Sequence, residues 1–342
     1  MLRRSLLLLA PALALTLPAA PPASAQERVL NLYSSRHYDT DRALYDGFTQ
    51  ATGIRIRLIE GNADQLFERI RNEGANSPAD VLITVDAARL HRAVAANILQ
   101  PVRSATLEAR IPAHLRDPEG NWFGLSKRAR VIMFDRQNPP QGLTRYEDLA
   151  DPRFRGQVCI RSSSHPYNLS LMGSILVANG EQAAEAWARG VVANFARQPQ
   201  GGDTPQFQAI PAGQCRLAIA NTYYLARFGA SEDPAQRALY DRIGVIFPNQ
   251  ADRGTHVNIS GAGVVRTAPN RDAAIAFIEY LASDAAQRMF ANGNFEYPVV
   301  AGIEPHPALA RFGEFREDVL NAARFGASSP QALQIMQRAG WR

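Results

Sequence analysis

Only two cysteines and one lysine, Cys159, Cys215 and Lys127, occur in 342 residues. Two cysteines cannot build a cysteine-rich metal cluster or a disulfide-dense scaffold. No Gly-x-Ser-x-Gly elbow, His-Glu-x-x-His pair, phosphate loop or Gly-x-Gly-x-x-Gly turn is present, so the commonest hydrolase, zinc-protease and nucleotide signatures are missing. No apolar run is long enough to span a bilayer comfortably; the longest, Leu6 to Leu17, is broken by Pro11 and Thr16. Positive charge is sparse too: the formal +5 falls to +3 without Arg3 and Arg4. No basic run interleaves with aromatics, which excludes a nucleic-acid partner. What remains is a chain with 46% hydrophobic and 20% charged residues and a mean hydropathy of -0.22. That balance belongs to a globular fold and not to a disordered or polytopic membrane chain. Its length is about twice the common domain size, which favours two lobes.

Residues 1–25 have the layout of a signal peptide. Arg3 and Arg4 form a basic start, the apolar stretch follows, and Ala23-Ser24-Ala25 supplies the small-x-small cleavage pattern. Arg3-Arg4-Ser5-Leu6-Leu7 also has a twin-arginine look, but paired arginines are common in ordinary leaders, and Sec export is the expected route. The mature chain then begins at Gln26 in the periplasm. In that oxidising compartment Cys159 and Cys215 are expected to form a disulfide. Both adjoin short apolar strand-like runs that can lie side by side, and closing the loop between them contributes ~4 kcal/mol.

The mature sequence alternates β-branched runs with amphipathic helical patterns, which predicts an α/β fold with largely parallel sheets. Val29 to Tyr33, Ile54 to Ile59 and Val81 to Val85 read as strands. Between them lie a helix opened by the Asp39-Thr40-Asp41 cluster and stopped by Gly53, and another over Asn62 to Gly74. Alternation along Ile54, Ile56 and Leu58 predicts that these three face inward. Two long extended runs, Gly124 to Phe134 and His256 to Arg266, bracket a second set of strands and helices. This predicts a chain that leaves the first lobe and returns to it, with a hinge and a cleft between the lobes. After the return come a helix over Asn270 to Leu281 and another opened by Asp284 and Gln287 as a capping box and stopped at Gly293.

Ligands in open parallel sheets bind beyond the carboxyl ends of strands. Three such ends here carry tyrosine: Ser34-Ser35-Arg36-His37-Tyr38, Ser162-Ser163-Ser164-His165-Pro166-Tyr167 and Asn221-Thr222-Tyr223-Tyr224. A phenol, with a pKa near 10, is a poor ligand at neutral pH, but a trivalent hard cation can displace its proton. Several phenolates with one imidazole therefore suit ferric iron better than zinc or copper. Four phenolates on Fe(III) leave a charge of about -1, for which Arg128, Arg36 and Arg227 are candidate counter-charges. Taken singly, each tyrosine also fits ordinary amphipathic packing and each arginine a solvated surface.

The segments Ser35-Arg36-His37-Tyr38, Arg161-Ser162-Ser163-Ser164-x-x-Tyr167-Asn168, Asn221-Thr222-Tyr223-Tyr224 and Asn258-Ile259-Ser260-Gly261-Ala262-Gly263 resemble the periplasmic iron-binding proteins of bacterial iron ABC importers. The resemblance covers nearly the whole mature chain. It implies a two-lobed periplasmic-binding-protein fold of type II, each lobe a mostly parallel sheet flanked by helices. It also implies metal held between the lobes by Tyr38, Tyr167, Tyr223 and Tyr224, with His37 ligating in some members only. The cargo implied is Fe3+, with Fe2+ also admissible, delivered by a monomer to an inner-membrane ABC permease. Glu60, after the second strand, is not assigned as a ligand. The lobes are expected at 26–127 plus 256–298 and at 128–255 plus 299–342. The competing readings are a binding protein for a small anion or polar organic solute, using Ser162 to Ser164 before a helix, and a hydrolase built on Ser164-His165, which lacks a third partner. His91, His114 and His306 read as surface residues and His256 as a structural residue on a hinge strand.

Overall fold

The computed structural model describes residues 28–36 and 38–342; the leader at 1–25, the start at Gln26 and His37 lie outside the described residues. In chain order the first lobe opens with β1 (Val29–Ser34), α1 (Asp41–Thr52), β2 (Arg55–Glu60), α2 (Ala63–Glu73), β3 (Val81–Val85), α3 (Ala87–Ala95), β4 (Leu99–Gln100) and α4 (Ala105–Arg110). β5 (Phe123–Asp135) leads into β6 (Val158–Cys159), α5 (Pro166–Asn179), α6 (Glu181–Ala193), α7 (Asp203–Gln208), β7 (Leu217–Asn221), α8 (Thr222–Gly229), α9 (Pro234–Arg242) and β8 (Ile243–Ile246). β9 (Val257–Val265) returns, followed by α10 (Arg271–Leu281), α11 (Asp284–Asn294), β10 (Tyr297–Pro298), α12 (Pro307–Ala310), α13 (Ala322–Ala327) and α14 (Ser329–Arg338).

The strands run in the order β2-β1-β3-β9-β5-β7-β6, and one strand belongs to both lobes. β5 pairs with β9 through Ala129 and with β7 from Arg130 onward. The lobes therefore part between two adjacent residues of a single strand. The largely parallel sheets expected from the sequence are mixed. β1 is parallel to β2 and β3, and β6 is parallel to β7. β9, however, is antiparallel to β3 and β5, and β5 is antiparallel to β7 and β8. The reason is topological: a strand arriving from the other lobe runs against the strands already there.

Other differences have local causes. Thr40 stands at the cap of α1 but gives no side-chain cap bond; its hydroxyl donates to Asn294 Oδ1, and Asp41 turns to Arg36. β2 is an edge strand, so Leu58 is exposed although its alternation pointed inward. Ser283 caps α11. Gln287 makes no capping box: it is buried, its amide donating to the Leu125 and Leu281 carbonyls and its oxygen accepting from Val299 N–H. α11 runs through Gly293 and stops at Phe295, in the left-handed region. The pairing of β6 with β7 sets Cys159 beside Ala218, and Cys159 and Cys215 form a disulfide with Cα atoms 6.0 Å apart.

A three-helix seam joins the lobes. α13 sits between α3 of the first lobe and α5 of the second. A Cβ placed on Gly173 of α5 would stand 2.6 Å from the Phe325 carbonyl oxygen, and one on Gly326 would stand 2.7 Å from the Ala87 oxygen. Both glycines are therefore contact points of backbone on backbone. The His256 ring meets Phe325 edge-on at 4.9 Å, and its Nε2 lies 3.1 Å from Ser170 Oγ. Just before α13, Glu317 takes Lys127 and His114 as partners, and Asn321 donates to the Ala113 and Arg116 carbonyls. The stretch from 299 onward, expected within the second lobe, thus bonds to both.

Candidate metal centre

Tyr38 lies in the loop between β1 and α1. Arg36 fixes that loop: its guanidinium grips Asp41 through Nε (2.9 Å) and Nη2 (3.0 Å), reaches Glu296 at 3.1 Å, and donates to Ser260 Oγ at 2.6 Å. Its Cζ stands 4.9 Å from the centre of the Tyr38 ring. Tyr167 occupies the first turn of α5, where the N-cap His165 accepts the Tyr167 N–H on Nδ1. Tyr223 and Tyr224 open α8, which follows β7 without a break. β7 is buried along its whole length, so its register fixes where the two phenols emerge.

The hydroxyls of Tyr167 and Tyr223 lie 3.0 Å apart. The rings of Tyr223 and Tyr224 stack at 4.2 Å. Arg227, one turn along α8, stands 5.0 Å from the Tyr223 ring centre, 6.0 Å from Tyr224 and 5.5 Å from Tyr38 across the cleft. The lobes are therefore closed on one another at this point.

Arg128, near the end of the stretch of β5 that pairs with β9, is buried. Nη2 donates to Ser260 Oγ at 3.2 Å and Nε lies 3.7 Å from Glu296. Nε and Nη1 have no hydrogen-bond partner among the described residues. Burial pushes the Tyr167 phenol up to about 12, with Arg128 the main opposing influence. Burial also raises Tyr223 well above the ordinary phenol range, and repulsion from Tyr167, Tyr38 and Tyr224 adds to it. Tyr38 is raised by burial and by Glu296, with Arg36 and Arg128 opposing. The phenols are thus close enough to disfavour joint ionisation unless a multivalent cation lies among them. Among the described residues no group of three or more His, Cys, Asp or Glu is placed to hold a metal ion.

All three candidate counter-charges lie by the phenols, Arg36 and Arg227 against the Tyr38 ring and Arg128 opposing the rise in Tyr167. Asp41 pairs with Arg36, and Glu296 is shared between Arg36 and Arg128. Glu60 is exposed and lines a surface pocket with Tyr38 and Asp39. Beside Ser164, burial and the arginines Arg161, Arg130 and Arg89 hold the His165 imidazole down at about 2, and its Nδ1 is occupied by the Tyr167 N–H. His256 is buried and held neutral, with a pKa of about 3. Reasoning from sequence missed Glu296, which binds Ser126 and both Arg36 and Arg128. It also missed Arg130 and Asp203. Arg130 has a signal in hindsight, two residues beyond Arg128 on the same strand face; Asp203 has none.

The model of the family described as bacterial extracellular solute-binding protein matches residues 76–311. The chain belongs to this family. Among family relatives, iron uptake protein A1 of Synechocystis is 54% identical over 328 residues, 95% of this chain and 91% of that protein. A solved structure of the Trichodesmium protein IdiA (FutA), in complex with iron and citrate ligands, aligns with a TM-score of 0.89 at 54% identity, covering 92% of this chain and 100% of that one. The Bordetella ferric binding protein aligns at 0.86 with 40% identity, covering 92% and 99%. The two-lobed type II solute-binding fold expected from the sequence is the fold of these neighbours.

Proposed function

We propose that this chain is a periplasmic carrier of ferric iron. It takes the ion between its lobes on Tyr38, Tyr167, Tyr223 and Tyr224 and hands it to an inner-membrane ABC permease. The observation that carries this reading is the 3.0 Å approach of the Tyr167 and Tyr223 hydroxyls, with the buried Arg128 the main influence opposing the rise of the Tyr167 phenol. Phenolate oxygens are hard donors matched to a trivalent ion, and the ion's charge is what makes their ionisation favourable near neutrality. Arg128 and Arg227 offset the residual negative charge. The Synechocystis relative's name as an iron uptake protein and the iron complex of the Trichodesmium relative support the same cargo here.

In this reading Tyr38 belongs to the first lobe and the other three phenols to the second, the lobes parting on β5 after Ala129 and the stretch from 299 onward bonding to both. Metal then favours the closed form only by binding it more tightly than the open one. The protein is a carrier with no catalytic step, exported by the leader at 1–25. The test is metal analysis with a visible spectrum on protein purified from periplasm. One equivalent of iron and a visible tyrosinate-to-iron band are expected. A colourless protein carrying a small anion would overturn the reading.

A further inference from the structure

A second group of charges is buried in the second lobe, behind the starts of the helices that carry Tyr167 and Tyr223. Arg130, on β5, donates from Nη1 to Asp203 Oδ2 (3.0 Å) and Asn221 Oδ1 (2.9 Å), and from Nη2 to Asn168 Oδ1 (2.8 Å). Asp203 Oδ2 also accepts the Asn221 N–H at 2.7 Å, and its Oδ1 takes Arg161 Nη1 at 3.2 Å. Asn168 completes the ring by donating to the Arg161 and Ser162 carbonyls. Arg130, Asp203, Asn168 and Asn221 are all buried. Such a cluster is costly to desolvate, and apolar residues of similar volume would often be no less stable. Its value is geometric. Asn168 is the residue after Tyr167, and Asn221 lies two before Tyr223, so one planar guanidinium joins the starts of both phenol-bearing helices. The same cations press on Tyr167 itself, Arg161 at 5.3 Å and Arg130 at 5.7 Å from its ring centre.

We infer that Arg130 and Asp203 are positioning residues that fix the Tyr167 and Tyr223 oxygens at ligand spacing. The inference rests on the iron reading. Neither residue touches the ion: Arg130 acts by its forked geometry, which a lysine cannot reproduce, and Asp203 by holding that fork and the backbone of Asn221 together. A mere charge role predicts the opposite sign, because Asp203 places negative charge near Tyr167, and removing it would favour the phenolate and tighten iron binding.

The experiment is a ferric titration of wild type, Asp203→Asn and Arg130→Lys, followed by visible spectrum and chelator competition, with thermal melts of the iron-free proteins alongside. Both variants are expected to bind iron at least tenfold more weakly and to shift or weaken the visible band. Arg130→Lys keeps a cation and decides the matter where Asp203→Asn fails to fold. Unchanged band and affinity with a lower melting temperature would mean a purely structural role and overturn the inference. Tighter binding by Asp203→Asn would also overturn it. A wild type that takes no iron would overturn the iron reading and this inference together, whereas wild-type binding with unaffected variants overturns only the inference.

Discussion

Replacing Tyr223 by Phe removes one buried hydroxyl and nothing else. In the iron-free protein the loss is small, since the bond to Tyr167 at 3.0 Å has a net worth of about 1 kcal/mol. With ferric ion the loss is larger and has a distinct signature. The Tyr167 phenol stands at about 12, so ionising it at pH 7 costs about 7 kcal/mol, at 1.36 kcal/mol per unit. Tyr223 is also raised well above its ordinary range. Every phenol that ligates must therefore release its proton, and apparent affinity below pH 9 rises about tenfold per pH unit for each one. Tyr223→Phe should lower that slope by one proton and weaken binding by well over tenfold at pH 7, more than 1.4 kcal/mol. Part of the loss is offset, because Tyr167 no longer faces a second phenolate at 223. The assay is a pH-stat titration with ferric nitrilotriacetate, corrected by a protein-free blank, with chelator competition at several pH values. An unchanged proton count with full colour and affinity would remove Tyr223 from the ligand set.

Three further outcomes follow from other groups. His256 titrates at about 3 in the fold against an ordinary 6.5; with the folded value depressed, its stabilisation is complete above pH 6.5 and lost as pH falls toward 3. At pH 5.5 that loss is about 1.4 kcal/mol, so urea unfolding at pH 7.5 and 5.5 should show wild type losing about that much more than His256→Gln, and equal losses would refute the assignment. Arg128→Ala should weaken ferric binding more than ferrous, because the trivalent ion demands more ionised phenol; equal losses would argue against charge balance. Gly326→Ala puts a methyl 2.7 Å from the Ala87 carbonyl oxygen and should cost about 1–3 kcal/mol by denaturant unfolding, while an unaltered midpoint would show the seam to be loose.

Much of the fold was legible because its strands are punctuated sharply. Val81–Val85 is a continuous apolar run and stands where the pattern placed it, and both crossing strands announced themselves by length alone. Strand direction was not legible, since hydrophobic pattern is the same for either sense; it follows from how the chain crosses between lobes. The phenols were legible because each sits at a strand end or in the turn after one. The cage behind them was not. Asp203 is about forty residues from Arg161 and over seventy from Arg130, and nothing near it in sequence distinguishes a buried counter-ion from a helix-start aspartate. The caps failed for a related reason: Thr40, Asp41 and Gln287 fit a local motif, but distant partners (Asn294 and the Leu125 carbonyl) outcompete it.

The seam of α3, α13 and α5 bears on how the molecule can move. Where main chain rests directly on main chain, at Gly173 and Gly326, no side-chain rotamer can flip to make room. At this line backbone contact sets the spacing between the lobes, beside the pairing of β5 with β9. Cutting the chain ahead of residue 322 would remove that contact line and with it α14 and the Trp341 that follows. Ile335, Met336 and Trp341 are buried in the second-lobe core, where α14 packs against α5, the helix that carries Tyr167.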